Sequence, residues 1–267
     1  MTERTARSQA ELAGHYAHCG EILRDADRDA WLAALFAPAE ARRHIHTIYA
    51  FAAEIGSVRA RVSQPLLGEM RLRWHVDALE GSDGAGAHAH PVMGALLDTI
   101  ERFGLPRAEF VRLLEARRFD LYDDPMPTLA ALEDYCRATA AQPMAWAARI
   151  LGEPDSEAAA RAIDNAGIAL GLAKILRAPM RGAATGPRFV PADLLARGGA
   201  ALEELRRTAQ NRYESARLAA ADMGAGRAAL LPASVVPLYL TSKRRDGDPP
   251  LWRRQWRMWR AARGVGL

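Results

Sequence analysis

The sequence is poor in cysteine. Its 267 residues include only Cys19 and Cys136, and both stand in helix-like surroundings without the close spacing of a zinc ligand set. Small secreted folds depend on several paired cysteines, so this scarcity argues against a disulfide framework. We therefore expect neither a disulfide nor a zinc site, and a reducing, cytoplasmic setting fits the composition.

Long hydrophobic runs are lacking as well. The longest apolar stretch, 228–240, contains Pro232 and Pro237 and is shorter than the roughly 20 apolar residues that a membrane-spanning helix needs. The first nine residues are polar and charged, unlike a secretory signal. The sequence therefore predicts no transmembrane segment and no secretory leader.

Strand-like alternation of β-branched residues is nearly absent, whereas the helix formers Ala, Leu, Arg and Glu are abundant. The sequence therefore predicts an all-α fold. Since 49% of the residues are hydrophobic, the chain can bury a sizeable core, and we expect a main domain over residues 1–240 followed by a basic tail over 241–267. Helices are predicted over 9–27, 29–62, 65–79, 92–103, 107–122, 128–151, 156–176, 201–223, 227–240 and 251–262, with an interruption at Pro38 and a flexible loop over 81–90.

Two helical segments carry the most informative pattern. Residues 49–60 read YAFAAEIGSVRA, and residues 167–178 read GIALGLAKILRA. The first is similar to the motif A-F-C-R-x-x-D-x-x-x-D of the squalene/phytoene synthase family. The second is similar to that family's G-x-A-x-Q-L-T-N-I-L-R-D, which has a further Asp four residues on. This resemblance implies an isoprenoid synthase-type helical bundle with a central cavity, lined by the two motif helices.

Both segments lack the acidic pairs of these motifs. Gly56 and Ala60 stand at the Asp positions of the first motif, and Ala178 and Gly182 at those of the second. Side chains four residues apart share a helix face, so each intact pair would aim two carboxylates at one point and supply the oxygen ligands that Mg²⁺ prefers. We therefore expect no catalytic residue, no metal and no other cofactor; Mg²⁺ enters only if acids come from other positions.

Further similarity to the family extends from about residue 21 to residue 240. The form F-x-x-E-I-x-x-V of the first motif and the segment PLYL at 237–240 resemble one branch, which includes a mitochondrial respiratory complex I assembly factor with eroded aspartates. This resemblance implies a protein that has lost catalysis and acts as a membrane-associated accessory or complex I assembly-type factor. The alternative is a head-to-head transferase that acts on farnesyl or geranylgeranyl diphosphate.

Basic residues flank the positions of the missing acids. Cations there would hold an isoprenoid diphosphate or a phospholipid headgroup directly; the alternative is that they are solvated surface charges. The resemblance places the equivalent of Lys174 in the cavity wall, and the segments of Tyr135 and Arg188 along the prenyl channel. The alternative for Tyr135 and Arg188 is that they hold the bundle together. The candidate ligand-binding residues are Arg43, Arg59, Tyr135, Lys174, Arg177 and Arg188.

Three other groups of polar residues are weaker candidates for metal sites. His88 and His90 belong to the predicted loop, and His44 and His46 point to different faces of one predicted helix. The acidic cluster over 120–124 is typical of a solvated helix end before proline. We expect none of these groups to bind a metal ion.

The C-terminal region combines tryptophan with arginine. Trp252, Trp256 and Trp259 fall at i, i+4 and i+7, so they form one stripe of a helix, and Arg253 and Arg257 stand beside them. This pattern is typical of a helix that lies on an anionic membrane or on a membrane-protein assembly intermediate; the alternative is that the tryptophans pack on the helical body. The net charge of +4 accompanies no nucleic-acid-binding module. We expect a protein peripheral to the inner face of the membrane and no nucleic-acid partner.

Overall fold

The computed structural model describes residues 3–82, 85–177, 189–196, 200–241 and 248–264. Every regular element within these ranges is helical, which confirms the predicted fold class. None of the described helices combines the length and the apolar character that crossing a bilayer requires. The chain divides into two compact units, 1–122 and 123–267, so the predicted tail belongs to the second unit.

The first unit is built from helices of very different length. Its three longest helices are Glu3–Ala26, Ala39–Gly56 and Pro65–Glu80, and a 3-10 turn, Arg118–Leu121, follows its last helix. The helices are α1 (Glu3–Ala26), α2 (Arg28–Ala34), α3 (Ala39–Gly56), α4 (Val58–Arg61), α5 (Pro65–Glu80), α6 (Ala85–Ala89), α7 (Pro91–Phe103) and α8 (Arg107–Arg117).

Helices α1, α3 and α7 form the core of the first unit. Helix α1 packs along both α3 and α7. Its Cys19 and Leu23 are completely buried, as are Ile48 and Phe51 of α3, because these residues recur at the spacing that places side chains on one helix face. The first motif therefore lies on a helix that is fixed by its packing in the core.

The structure confirms the predicted break before α3, and it replaces part of the predicted loop before α7 with a short helix. Helix α3 begins at Ala39, directly after Pro38, which confirms the predicted interruption. The prediction of a loop was wrong for residues 85–89, which form α6. Alanine favours a helix there, and the side chain of His90 caps the next helix by accepting a hydrogen bond from the backbone N–H of Met93.

The second unit is organised around a long helix, Glu157–Arg177, which carries the second motif. The other long helix of this unit, Ala201–Ala219, packs against it, and a 3-10 helix, Ala225–Val235, leads into the helix Val236–Thr241. The helices are α9 (Leu129–Cys136), a π-helix (Arg137–Ala141), α10 (Gln142–Ile150), α11 (Glu157–Arg177), α12 (Ala192–Leu195), α13 (Ala201–Ala219), α14 (Val236–Thr241) and α15 (Leu251–Ala262).

Two glycines let α11 approach its neighbours closely. A Cβ atom at Gly167 would lie 2.2 Å from Cα of Ala141, in the π-helix. A Cβ atom at Gly171 would lie 2.7 Å from Sγ of Cys136, at the end of α9. The helix predicted over 128–151 is thus interrupted by a π-helical turn where α11 passes against it, and such turns are rare and local distortions of an α-helix.

Candidate functional site

The first-motif helix α3 ends beside the side chain of an arginine. Gly56 is the last residue of α3, and a Cβ atom there would lie 3.3 Å from Nη2 and 3.4 Å from Cζ of Arg117. Nη1 of Arg117 donates a hydrogen bond of 2.9 Å to Asp120, which is buried at 7% exposure. The guanidinium group therefore lies against the position at which the motif of the family has Asp, and Asp120 is an ion-pair partner of Arg117 rather than the solvated acid that the sequence predicted.

These residues do not fit a Mg²⁺ ion. Gly56 and Ala60 bring no side-chain oxygen, and the nearest charged group to Gly56 is the guanidinium of Arg117. Magnesium requires oxygen ligands in near-octahedral geometry and is repelled by a neighbouring cation. Within the described part of the chain, no group of three or more His, Cys, Asp or Glu side chains is arranged to hold a metal. Ala178 and Gly182 lie outside the described residues.

Glu54 is the remaining acid of the first-motif segment, and it contacts two histidines. Its Oε1 atom lies 3.3 Å from Nε2 of His75 on α5 and 3.6 Å from Nε2 of His90. Burial raises the pKa of Glu54, but the hydrogen bond with His75 and the nearby positive groups outweigh burial and hold the pKa below its ordinary value. Glu54 thus connects α3 to α5 and to the start of α7.

Arg43 belongs to a polar network inside the first unit. Its Nε–H donates to Nε2 of His44 at 3.3 Å, and its Cζ lies 5.2 Å from the centre of the Tyr16 ring. On the other side of the imidazole, Nδ1 of His44 lies 2.9 Å from Oγ1 of Thr99, and Tyr16 donates a hydrogen bond of 2.5 Å to Asp98. Because Nε2 of His44 accepts from Arg43, the imidazole is held in its neutral form.

The neutral state of His44 predicts a loss of stability in acid. Burial, reinforced by Arg43 and Arg102 and opposed by Asp98, lowers the pKa of His44 from 6.5 to about 4. The unfolded chain therefore binds a proton first as the pH falls, and the stabilisation is lost between pH 6.5 and about 4. We expect His44→Gln to remove about 2 to 3 kcal/mol of the decrease in unfolding free energy between pH 7 and pH 4.5.

Urea unfolding at both pH values measures this effect. The matched control is His88→Gln, which removes an imidazole from the exposed surface. Equal pH dependence in the wild type and in His44→Gln would show that this imidazole does not need to stay neutral in the folded protein.

The second-motif helix carries one exposed lysine, and a neighbouring side chain fills the space beside one of its glycines. Lys174 is exposed on α11, and the Cys136 thiol fills the space beside Gly171, at the position of the family's glutamine. A longer side chain at position 171 would have to displace Cys136, because a Cβ atom there would already lie 2.7 Å from its Sγ atom. If that side chain is polar, its burial also costs free energy unless it finds a hydrogen-bond partner.

Arg177 is held within the second unit. Nη2 of Arg177 forms an ion pair with Oδ1 of Asp248, and its Cζ lies 3.9 Å from the centre of the Tyr239 ring. Nη1 of Arg254, on α15, lies 3.8 Å from the other carboxylate oxygen of Asp248. Asp248 thus links the end of the second-motif helix to the C-terminal helix.

The other predicted ligand-binding residues are less closely connected. Tyr135 is half-buried on α9, with its ring 5.4 Å from that of Phe189, and Arg59 is half-buried on α4. Arg188 lies outside the described residues. The structure thus places Arg43 and Arg59 in the first unit and Tyr135 in the second with Lys174 and Arg177, and a ligand-binding role for these residues stays a prediction.

The C-terminal helix α15 has two distinct faces. Arg254, Met258 and Ala261 are buried, and α15 packs against the 3-10 helix Ala225–Val235. Arg257 joins this inner face, because its Nε–H donates to the carbonyl oxygen of Ser234 at 3.2 Å and its Nη2 to the hydroxyl of Tyr213 at 3.2 Å. Arg257 therefore anchors the helix in the folded protein.

The outer face of α15 carries the tryptophans. Trp252, Trp256 and Trp259 are 62%, 54% and 37% exposed. The rings of Trp256 and Trp259 stack at 5.0 Å, and the guanidinium groups of Arg253 and Arg263 lie 5.2 Å and 3.8 Å from the Trp252 and Trp259 rings. The predicted stripe therefore lies on the exposed side of the helix.

Sequence reasoning missed the partners that complete these sites. Arg117 and Asp248 are distant in sequence from the motif residues that they contact, as are His75 and Cys136. One signal was available for Arg117, because arginine three residues before Asp120 on a helix indicates an ion pair. Nothing in the sequence indicated that this arginine lies against Gly56.

Known proteins resemble this chain along most of its length. The family model described as squalene/phytoene synthase matches residues 23–260. Complex I assembly factor 6 of Mus musculus is 27% identical over 207 residues, which are 78% of this chain and 62% of that protein. A chloroplastic phytoene synthase of Narcissus pseudonarcissus is 28% identical over 200 residues, 73% of this chain and 47% of that enzyme.

Solved structures show the same fold. A dehydrosqualene synthase in complex with a ligand superposes with a TM-score of 0.73 at 19% identity, covering 96% of this chain and 98% of that structure. The squalene synthase HpnC from Alicyclobacillus acidocaldarius superposes with a TM-score of 0.65 at 24% identity, covering 96% of each chain. Since the family model spans the helices of both units from α2 onwards, including the altered motif helices and most of α15, the chain belongs to the squalene/phytoene synthase family.

Proposed function

We propose that this chain is a squalene/phytoene synthase-like protein that has lost catalysis. It acts as a membrane-associated accessory factor of the respiratory complex I assembly type, on the inner face of the membrane, and it holds an isoprenoid or a lipid. The alternative is a head-to-head prenyl diphosphate transferase.

The guanidinium of Arg117 beside Gly56 carries the first part of this proposal. Ionisation of an allylic diphosphate needs positive charge on a metal that carboxylates hold in place. Here the carboxylate position has no side chain, and the adjacent group is a cation paired with Asp120. A metal would have to enter next to this cation without oxygen ligands from Gly56 or Ala60, which is electrostatically unfavourable.

The similarity to complex I assembly factor 6 supports the accessory role. This chain spans about 62% of the length of that relative, so the role is carried over as a proposal for the shared region. The exposed tryptophans and arginines of α15 support contact with a membrane or with a membrane-protein intermediate. Half-buried Arg59 in the first unit and exposed Lys174 in the second each provide a cation that suits a phosphate group.

An assay with both diphosphates tests the loss of catalysis. The purified protein is incubated with Mg²⁺ and farnesyl or geranylgeranyl diphosphate, and a dehydrosqualene synthase is assayed in parallel as the positive control. We expect no product above background, because Gly56 and Ala60 supply no oxygen ligands at the first motif. A C30 or C40 hydrocarbon, or a cyclopropyl diphosphate, would contradict the proposal and support the transferase.

A deletion strain tests the accessory role in the same way. We expect respiratory complex I activity to fall and to be restored by the wild-type gene, and we expect carotenoid and hopanoid content to stay unchanged throughout. The opposite pattern, normal complex I activity with reduced carotenoid or hopanoid content, would support the transferase.

A further inference from the structure

The beginning of α5 carries large apolar side chains that are exposed among the residues that the structure describes. Leu66, Leu67 and Met70 are 63%, 45% and 63% exposed. They lie away from Gly68, which faces the core: a Cβ atom there would lie 2.4 Å from the Leu121 side chain. Gly68 thus fixes which side of α5 is buried, and this places Leu66 and Met70 on the opposite side.

The surroundings of this surface are positively charged. Residues 59–73 contain four arginines and one acid, Glu69. The carboxylate of Glu69 accepts hydrogen bonds of 2.9 Å from Arg118 and 2.8 Å from the hydroxyl of Tyr122, so its charge is compensated locally. Arg61 and Arg71 are exposed, and long arginine side chains reach past apolar neighbours to an anion.

We infer that this surface, named the α5 face (Leu66, Leu67 and Met70), docks on an anionic lipid surface. The inference rests on the membrane part of the proposed function and adds a contact in the first unit. Apolar side chains inserted among headgroups, with arginines at the level of the phosphates, are the usual elements of interfacial binding. Three side chains fall far short of the roughly 800 Å² per partner that a stable protein interface buries, whereas a lipid surface needs no matching shape.

A fluorescent label at position 70 tests this contact directly. Cys19 and Cys136 are both 0% exposed, so a Met70→Cys variant can be labelled at one site with an environment-sensitive dye. We expect a blue shift and at least a doubling of emission with vesicles of phosphatidylglycerol and phosphatidylcholine, and no change with phosphatidylcholine alone. Leu218→Cys, at a leucine of α13 that is 67% exposed, is the matched control and should not respond.

A second variant measures the contribution of the α5 face to binding. Leu66→Gln with Met70→Gln keeps good helix formers in α5 and should weaken binding to the anionic vesicles about tenfold, by removing two partly inserted side chains. Leu218→Gln should bind like the wild type. Circular dichroism and the melting temperature confirm that each variant is folded.

Each other outcome contradicts the inference in a distinct way. If the protein pellets with anionic vesicles but the label at position 70 does not respond, the α5 face is not a lipid contact, and the membrane part of the proposed function survives. If the protein does not pellet at all, both fail. A blue shift that depends on protein concentration without vesicles would identify a second copy of the chain as the occupant.

Discussion

Gly167→Ala is expected to lower the free energy of unfolding by about 2 kcal/mol. The new methyl group would lie 2.2 Å from Cα and 2.4 Å from the backbone N of Ala141. Backbone atoms cannot rotate away as a flexible side chain can, so α11 and the π-helix must separate. Overpacking in a core costs about 1 to 3 kcal/mol, and a clash with backbone atoms belongs at the upper end of this range. Subtracting the roughly 1 kcal/mol that alanine gains over glycine within a helix leaves the expected net loss.

The same substitution elsewhere in the chain provides the control. Gly14 lies within α1, and a Cβ atom there would have no atom within 4 Å. Gly14→Ala should therefore raise the free energy of unfolding by about 0.5 to 1 kcal/mol. Urea unfolding of the three proteins measures both effects, and a Gly167→Ala protein as stable as the wild type would show that α11 is not packed as closely as the structure has it.

The opposite signs expected at these two glycines show what sequence can and cannot predict. Both stand within predicted helices, and helix propensity treats them alike. The helices themselves, the break at Pro38 and the outward stripe of tryptophans follow from local periodicity and turn chemistry, which the sequence displays. The close approach of Ala141 to Gly167 depends on how α11 crosses the 129–150 region, and no local pattern encodes it.

The altered motif positions illustrate the same limit at the candidate site. The sequence predicts that Gly56 lacks a carboxylate, but not that Arg117 lies against it. Likewise it shows that Gly171 replaces a glutamine, but not that the Cys136 thiol fills the space. Restoring the glutamine at position 171 would create a clash with Cys136, whereas restoring the acid at position 56 would create an ion pair with Arg117.

A triple substitution of the α15 tryptophans is expected to weaken binding to anionic vesicles about a hundredfold. Trp252→Ala, Trp256→Ala and Trp259→Ala together remove the large side chains from the outer face of α15. If each indole contributes about 1 kcal/mol by partial burial at the interface, the sum corresponds to about two powers of ten in affinity. The melting temperature should change little, because the inner face of α15, with Met258 and Arg257, is unaltered.

Exposed leucines of the same unit provide the matched control for this variant. Leu195, Leu202 and Leu218 are 50%, 49% and 67% exposed, and their triple replacement by alanine removes apolar surface without touching α15. This control should bind vesicles like the wild type. Equal pelleting of the tryptophan variant and the wild type would exclude α15 as a lipid contact and leave its outer face to a protein partner. The wild-type affinity should also fall as salt rises from about 0.1 to 0.5 M, because ions screen the attraction between the exposed arginines of α15, Arg253 and Arg260, and the lipid phosphates.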